Sequence, residues 1–150
     1  MKVSQSSIGR IFTIRLEDNE KLPDTLENFA HSRGIKRGFC LFVGGVNDGG
    51  KVVVGPEDGS KSPPVPMVTT LVGVHEVSAV GTLFPDEEGY PRLHAHAAMG
   101  RKGSTIIGCI RQGISAWKTL EIILIELQSS SGQRVYDPST GFHLLELGRE

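Results

Sequence analysis

Apolar and polar residues alternate with period two along most of this chain, and one stretch near the N-terminus carries a helical period instead. In "GRIFTIRL", Phe12, Ile14 and Leu16 alternate with Ile11, Thr13 and Arg15, which predicts a strand with an apolar inner face. In "KLPDTLENFAHSRGI", Leu22, Leu26, Phe29 and Ala30 share one side at helical spacing. Pro23 suits a first turn, Asp24 and Glu27 suit the positive end of a helix, and Gly34 suits its stop. His31 then falls on the solvated side. Beyond this helix the pattern is β: "GFCLFVGG", "KVVVG", "HEVSAVGTLF", "RLHAHAAM", "STIIGCIRQG", "LEIILIEL" and "GFHLLEL" are separated by turn-rich pieces. The expected fold is α+β, a mostly antiparallel sheet of about seven strands with one main amphipathic helix packed on it.

Composition narrows the setting. At 150 residues and 16.2 kDa the chain is expected to form one domain, residues 1–150, with a real core. There is no internal repeat or charge run, and "GPEDGSKSPPVP" is too short for a domain linker. A formal charge of −1 and a pI near 6.5 argue against a surface built as a whole to hold phosphate backbones. Two cysteines, Cys40 and Cys109, lie in strand-like apolar runs and are too few for a disulfide framework. "MKVSQSSIGR" has no apolar signal core, and no apolar stretch is long enough for a membrane-spanning helix. A cytoplasmic protein without a membrane partner is the expectation.

"GVNDGGKV", residues 45–52, nearly fits the phosphate-cradling pattern G-x-x-x-x-G-K-[ST]. Val52 stands where a hydroxyl must reach magnesium, and strand sequence follows where a helix must open. The stretch reads as a glycine-rich hairpin turn.

"PRLHAHAAMG" carries the chemistry. Alternation sets His94 and His96 on one strand face and Leu93, Ala95, Ala97 and Met99 on the other. Cα atoms two apart on a strand are about 6.6 Å apart, close enough for both rings to reach one ion. A hydrogen-bonded polar pair accounts for the same pattern. Cys109 follows across the turn "GRKGS". An even-length loop puts Cys109 on the histidine face: with Arg101-Lys102 as the loop it pairs with His94, and with Lys102-Gly103 or Arg101 to Ser104 it pairs with His96. A three-residue loop turns it away, and a strand cysteine can also be a small buried hydrophobe. Two imidazoles and a thiol suit zinc and leave a fourth position open, although the same ligands accept nickel, cobalt or iron.

Other polar groups offer supporting roles. His75 and Glu76 in "VHEV" point to opposite faces, and either can serve as ligand, orienting group or general base, or be structural. Arg15 and Arg111 are strand arginines that can hold an anion or stand in solvent. His143 reads as peripheral.

The order of "GRIFTIRL", "KLPDTLENFAHSRGI", "CLFVGGVNDG", "VSAVGTLF", "PRLHAHAAMG", "GCIRQG" and "DPSTGFHLLEL" resembles the plant-and-prokaryote-conserved (PPC) domain, over roughly residues 7–147. The resemblance implies a compact α+β unit that associates as a homotrimer. It also implies a zinc site of three histidines, of which His94 and His96 are the first two. The third falls at Cys109, a thiol-for-imidazole departure that leaves His75 as the alternative third ligand. Plant members carry AT-hooks ahead of the domain and bind A·T-rich DNA. This chain has no Arg-Gly-Arg-Pro core, and "SRGIKRG" is only a loose echo of one. A trimer would still be able to gather Lys36, Arg37, Lys51, Arg101 and Lys102 on one surface.

Two functions follow as expectations. The first is a non-catalytic, zinc-binding homotrimer with a regulatory role, binding DNA, a protein partner or a small ligand. The second is a metal-dependent enzyme, hydrolase or lyase-like, acting on a small anionic molecule with Glu76 as base and an arginine on the anion. A metal-free subunit-association module remains if the hairpin register is odd.

Overall fold

The protein is described from a computed structural model, over residues 1–111 and 113–148. Eleven strands and one α-helix appear in the order β1 (Ser7–Glu17), β2 (Lys21–Leu22), α1 (Asp24–Ser32), β3 (Gly38–Val46), β4 (Lys51–Pro56), β5 (Pro66–Thr70), β6 (His75–Pro85), β7 (Pro91–Arg101), β8 (Ser104–Ile110), β9 (Ile114–Gln128), β10 (Gln133–Asp137) and β11 (Phe142–Glu146). Nine belong to one antiparallel sheet, ordered β1-β9-β3-β6-β7-β8-β4-β5, with β2 beside β9. The hairpin β10-β11 is separate.

The α+β class with a largely antiparallel sheet is as expected, but there are more strands than the seven or so expected. β2 has only two residues, β5 begins at a proline and shows no clean alternation, and β10 is a five-residue run in a turn-rich region. The turn Asn47–Gly50 leads into β4 rather than a helix, so the phosphate-loop geometry is absent. It is not a hairpin turn either. β3 lies between β9 and β6, whereas β4 lies between β8 and β5.

Helix α1 is shorter than its sequence signals, with Pro23 as its N-cap and Gly34 just beyond it at φ +67°. Leu26 and Ala30 are buried beneath it, and His31 is exposed, as its position on the helix predicts. A nine-residue helix is about 13 Å long, while the eight-strand path spans about 34 Å. Leu16 of β1 and Val52 of β4 are nonetheless 2% and 0% exposed and belong to one buried cluster, so the sheet curls about its own inner face. Small residues on that face, including Cys40, Ala79, Ala95 and Ala97, permit the curvature. The outer face carries the candidate chemistry.

Candidate metal centre

Strand β7 obeys the alternation in its sequence. Ala95, Ala97 and Met99 are buried on the inner face and Leu93 is partly buried, while His94 and His96 are exposed on the outer one. The strand's entry is held by α1, because the Glu27 carboxylate accepts a hydrogen bond from the Leu93 backbone N–H at 2.8 Å. Glu27 also pairs with Arg92 at 3.3 Å, and Arg92 pairs with Asp86 at 2.8 Å.

At its other end β7 turns into β8 through Lys102 and Gly103, at φ +50° and +79°, a two-residue loop whose backbone twist matches that of the strands. Arg101 therefore pairs with Ser104, and His96 pairs with Cys109. The even register sets the thiol on the histidine face. Gly108 lets β4 close over this point, since a Cβ there would lie 2.4 Å from the Val53 carbonyl oxygen, and Val53 pairs with Cys109.

The ligand atoms of His94, His96 and Cys109 all lie within 4.8 Å of one another. The imidazole rings meet edge to face with centroids 5.1 Å apart. Cys109 is buried and its Sγ contacts the Ile110 carbonyl oxygen at 3.7 Å. Partial desolvation, the charges of Arg134 and Arg111 and the neighbouring His96 push the His94 pKa down to about 4. Its ring is neutral at physiological pH and has a free lone pair for a ligand. Burial raises the Cys109 thiol, with Arg111 and Arg134 opposing the shift. Two imidazoles and one thiol at this spacing fit a zinc-type ion.

The remaining candidates are placed as follows. His75 lies on the inner face of β6, buried, with Nδ1 2.9 Å from the Gly73 carbonyl oxygen. Glu76 shares the outer face, but it pairs with Gly100, while Val80 pairs with His96. That places it about 13 Å along the strand from the group. Arg15 is on the outer face of β1, four strands from β7, and pairs with Glu17. Arg111 is exposed, and its charge acts on both His94 and Cys109. His143 packs against Tyr136 on the small hairpin. Of the basic residues, Arg37 donates to the Gly132 carbonyl oxygen and Arg101 to that of Val74.

Sequence reasoning missed Arg134. It arrives from β10, lies buried against the Phe84 ring, and donates from Nη2 to Thr82 Oγ1 at 3.0 Å. Thr82 is the cross-strand partner of His94. The available signal was "QRVYD" and "GFHLLEL" flanking the turn residues "PSTG", a hairpin pattern.

The Plants and Prokaryotes Conserved (PCC) domain matches the chain over residues 3–128. The chain belongs to the PCC domain family. No curated protein matches it. Among solved structures, a plant- and prokaryote-conserved (PPC) protein from Pyrococcus horikoshii is similar with a TM-score of 0.83 and 24% identity, covering 100% of both chains. A metal-containing protein from Archaeoglobus fulgidus is similar with a TM-score of 0.83 and 21% identity, over 97% of this chain and 99% of that one. A protein named "Putative DNA-binding protein" from Ralstonia eutropha has a TM-score of 0.70 and 17% identity, over 91% of this chain and 90% of that one. At these identities the likeness shows the PCC fold. The hairpin that carries Arg134 lies beyond the span of the family match.

Proposed function

We propose that this PCC-family chain is a metal-binding protein that holds zinc through His94, His96 and Cys109, acts as a homotrimer, and serves a regulatory role in the cytoplasm. The observation that carries the reading is the convergence of three ligand atoms within 4.8 Å on one two-strand hairpin. Two of the three, His94 and His96, stand exposed, and Cys109 is buried beside them. The Archaeoglobus fulgidus protein of the same fold is metal-containing, which supports it. When bound, zinc supplies Lewis acidity and a fourth ligand position. The chain's own part is to present His94 neutral and to set Cys109 opposite His96.

DNA as the regulatory partner draws support from the Ralstonia eutropha protein's name. The net charge of −1 weighs against it, as does the use of Arg37 and Arg101 in backbone contacts. A small-molecule or protein partner fits the composition better.

The alternative of a metal-dependent enzyme is favoured by one observation, the arginine charge beside an exposed pair of histidines. Glu76, about 13 Å along the strand, is not positioned to share a substrate atom with the group.

Metal content per chain tests the proposal, measured on protein purified without an affinity tag or added metal, for wild type and His96→Ala. Near-stoichiometric zinc that is lost in the variant is the expected result. Metal-free wild type that also fails to take up zinc on titration would overturn it.

A further inference from the structure

Arg134 is 7% exposed, yet none of the ion pairs among the described residues includes it. Its Nη2 donates to a neutral hydroxyl, that of Thr82. Its Nε is the buried side-chain nitrogen or oxygen left without a hydrogen-bond partner among the described residues. A guanidinium is charged at any pH a folded protein meets, and a buried charge needs a compensating group. A water molecule satisfies an N–H but does not balance the charge. Thr82 is bonded to it, the Phe84 ring lies 6.0 Å away, and Arg111 acts on the same two side chains, His94 and Cys109. The group that acts on Arg134 with opposite sign is the Cys109 sulfur, whose thiol burial holds toward the neutral form. This corner of the outer face therefore has excess positive charge and an unused N–H donor.

We propose that Arg134 anchors a subsite for a small oxyanion, a carboxylate or phosphate group that accepts from its guanidinium beside His94 and Cys109. Guanidinium groups favour such acceptors because their N–H donors match two oxygens of one group. Thr82 Oγ1 and the Phe84 ring hold the guanidinium in place, so the ligand meets a preset donor. The subsite adds a ligand class to the metal-centre reading and rests on it only for its neighbours, because Arg134 and Thr82 are not part of the ligand group.

The test uses the full chain stripped of metal with a chelator. Thermal unfolding is followed against sodium phosphate and, separately, sodium acetate, with sodium chloride at matched ionic strength as control, alongside the Arg134 Nε–H signal by NMR. A saturable rise in Tm with at least one oxyanion and a shift of that signal are expected, neither of them produced by chloride. Arg134→Gln should abolish the effect, and Arg134→Lys should weaken binding about tenfold or more, since it keeps charge and loses the fork. Should Arg134→Gln fail to fold, Thr82→Val keeps the guanidinium while releasing its support, and is expected to weaken binding. The relative response to phosphate and acetate identifies which oxyanion the site prefers. Equal responses to chloride, or a response undiminished in the variants, would overturn the subsite and leave Arg134 hydrated by water alone. Oxyanion binding by a chain that never takes up zinc would overturn the metal reading and leave this one standing. Zinc uptake without oxyanion binding would do the reverse.

Discussion

Glu126 shows how a single side chain holds a sheet edge that periodicity alone would leave loose. It accepts from Arg10 Nε at 2.7 Å, from Arg10 Nη2 at 2.8 Å and from the Arg10 backbone N–H at 3.1 Å, where β1 shifts register against β9. These hydrogen bonds, with the arginine charge beside them, hold its pKa down from 4.5 to about 2. A carboxylate depressed on folding stabilises the fold fully above its unfolded pKa, and that contribution fades as pH falls toward the folded value. Glu126→Gln is therefore expected to lower Tm by a few degrees at pH 6. The gap between wild type and variant should close between pH 4.5 and about 2. Thermal unfolding of both proteins across that range checks it, and a gap independent of pH would contradict the assignment. The same scale holds the residues of the candidate centre. His94 and His96 could be read from sequence because facing on a strand is a local property. Arg134 could not, because its neighbours Thr82 and Phe84 lie about fifty residues earlier in the chain.

At the scale of elements, the β7-β8 hairpin decides whether the centre exists. Its two-residue turn needs positive φ at both positions, and Lys102 and Gly103 supply +50° and +79°. A β-branched residue in that region costs about 1–2 kcal/mol. Gly103→Val is thus expected to destabilise the metal-free protein by about that amount. Lys102→Asn, which suits the first position of such turns, should stabilise it by a few tenths of a kcal/mol or more, on the order of 0.5. Denaturant unfolding of the two variants should show opposite shifts in midpoint. Shifts of the same sign would mean that the turn does not set the hairpin. The hairpin also explains why Cys109 stayed ambiguous in the sequence: Lys102-Gly103 and Arg101-Lys102 are both plausible two-residue loops, and an odd loop was also available. The backbone conformation and the closure of β4 over Gly108 select one register among them.

At the scale of the whole molecule, the outer face of the sheet is unusually apolar for a surface. One row across it runs Thr13, Ile123, Leu41, Val80, His96 and Cys109, and a second runs Glu121, Val43, Ser78, Ala98 and Ile107. Leu41, Val43, Val80 and Ile107 are exposed by 47%, 58%, 47% and 66%, more apolar surface than strand faces in water usually show together. A homotrimer that buries this face is consistent with those exposures. Val80→Glu should then reduce the solution mass toward that of one 16.2 kDa chain, with the β-sheet circular dichroism retained. Light scattering coupled to size exclusion measures it, and a wild type that already runs as a monomer would remove the homotrimer from the proposal.

The sequence by itself determined what depends on neighbours a few residues apart. The period of two in β1, β6 and β7 settled which side chains face inward, and the helical period placed α1 and its exposed His31. Proline, glycine and the missing hydroxyl at Val52 were enough to set aside a phosphate loop. Tertiary structure alone decided which strands neighbour one another. β3 and β4 follow in sequence yet lie apart in the sheet, because each finds its hydrogen-bond partners and apolar contacts with other strands. It also brought Arg134 from a separate hairpin to Thr82, and moved Glu76 out of reach of the histidines while keeping it on their face. Alternation is encoded residue by residue, whereas pairing and approach are set by how the chain buries its core, and a single strand carries no record of which partner will lie beside it.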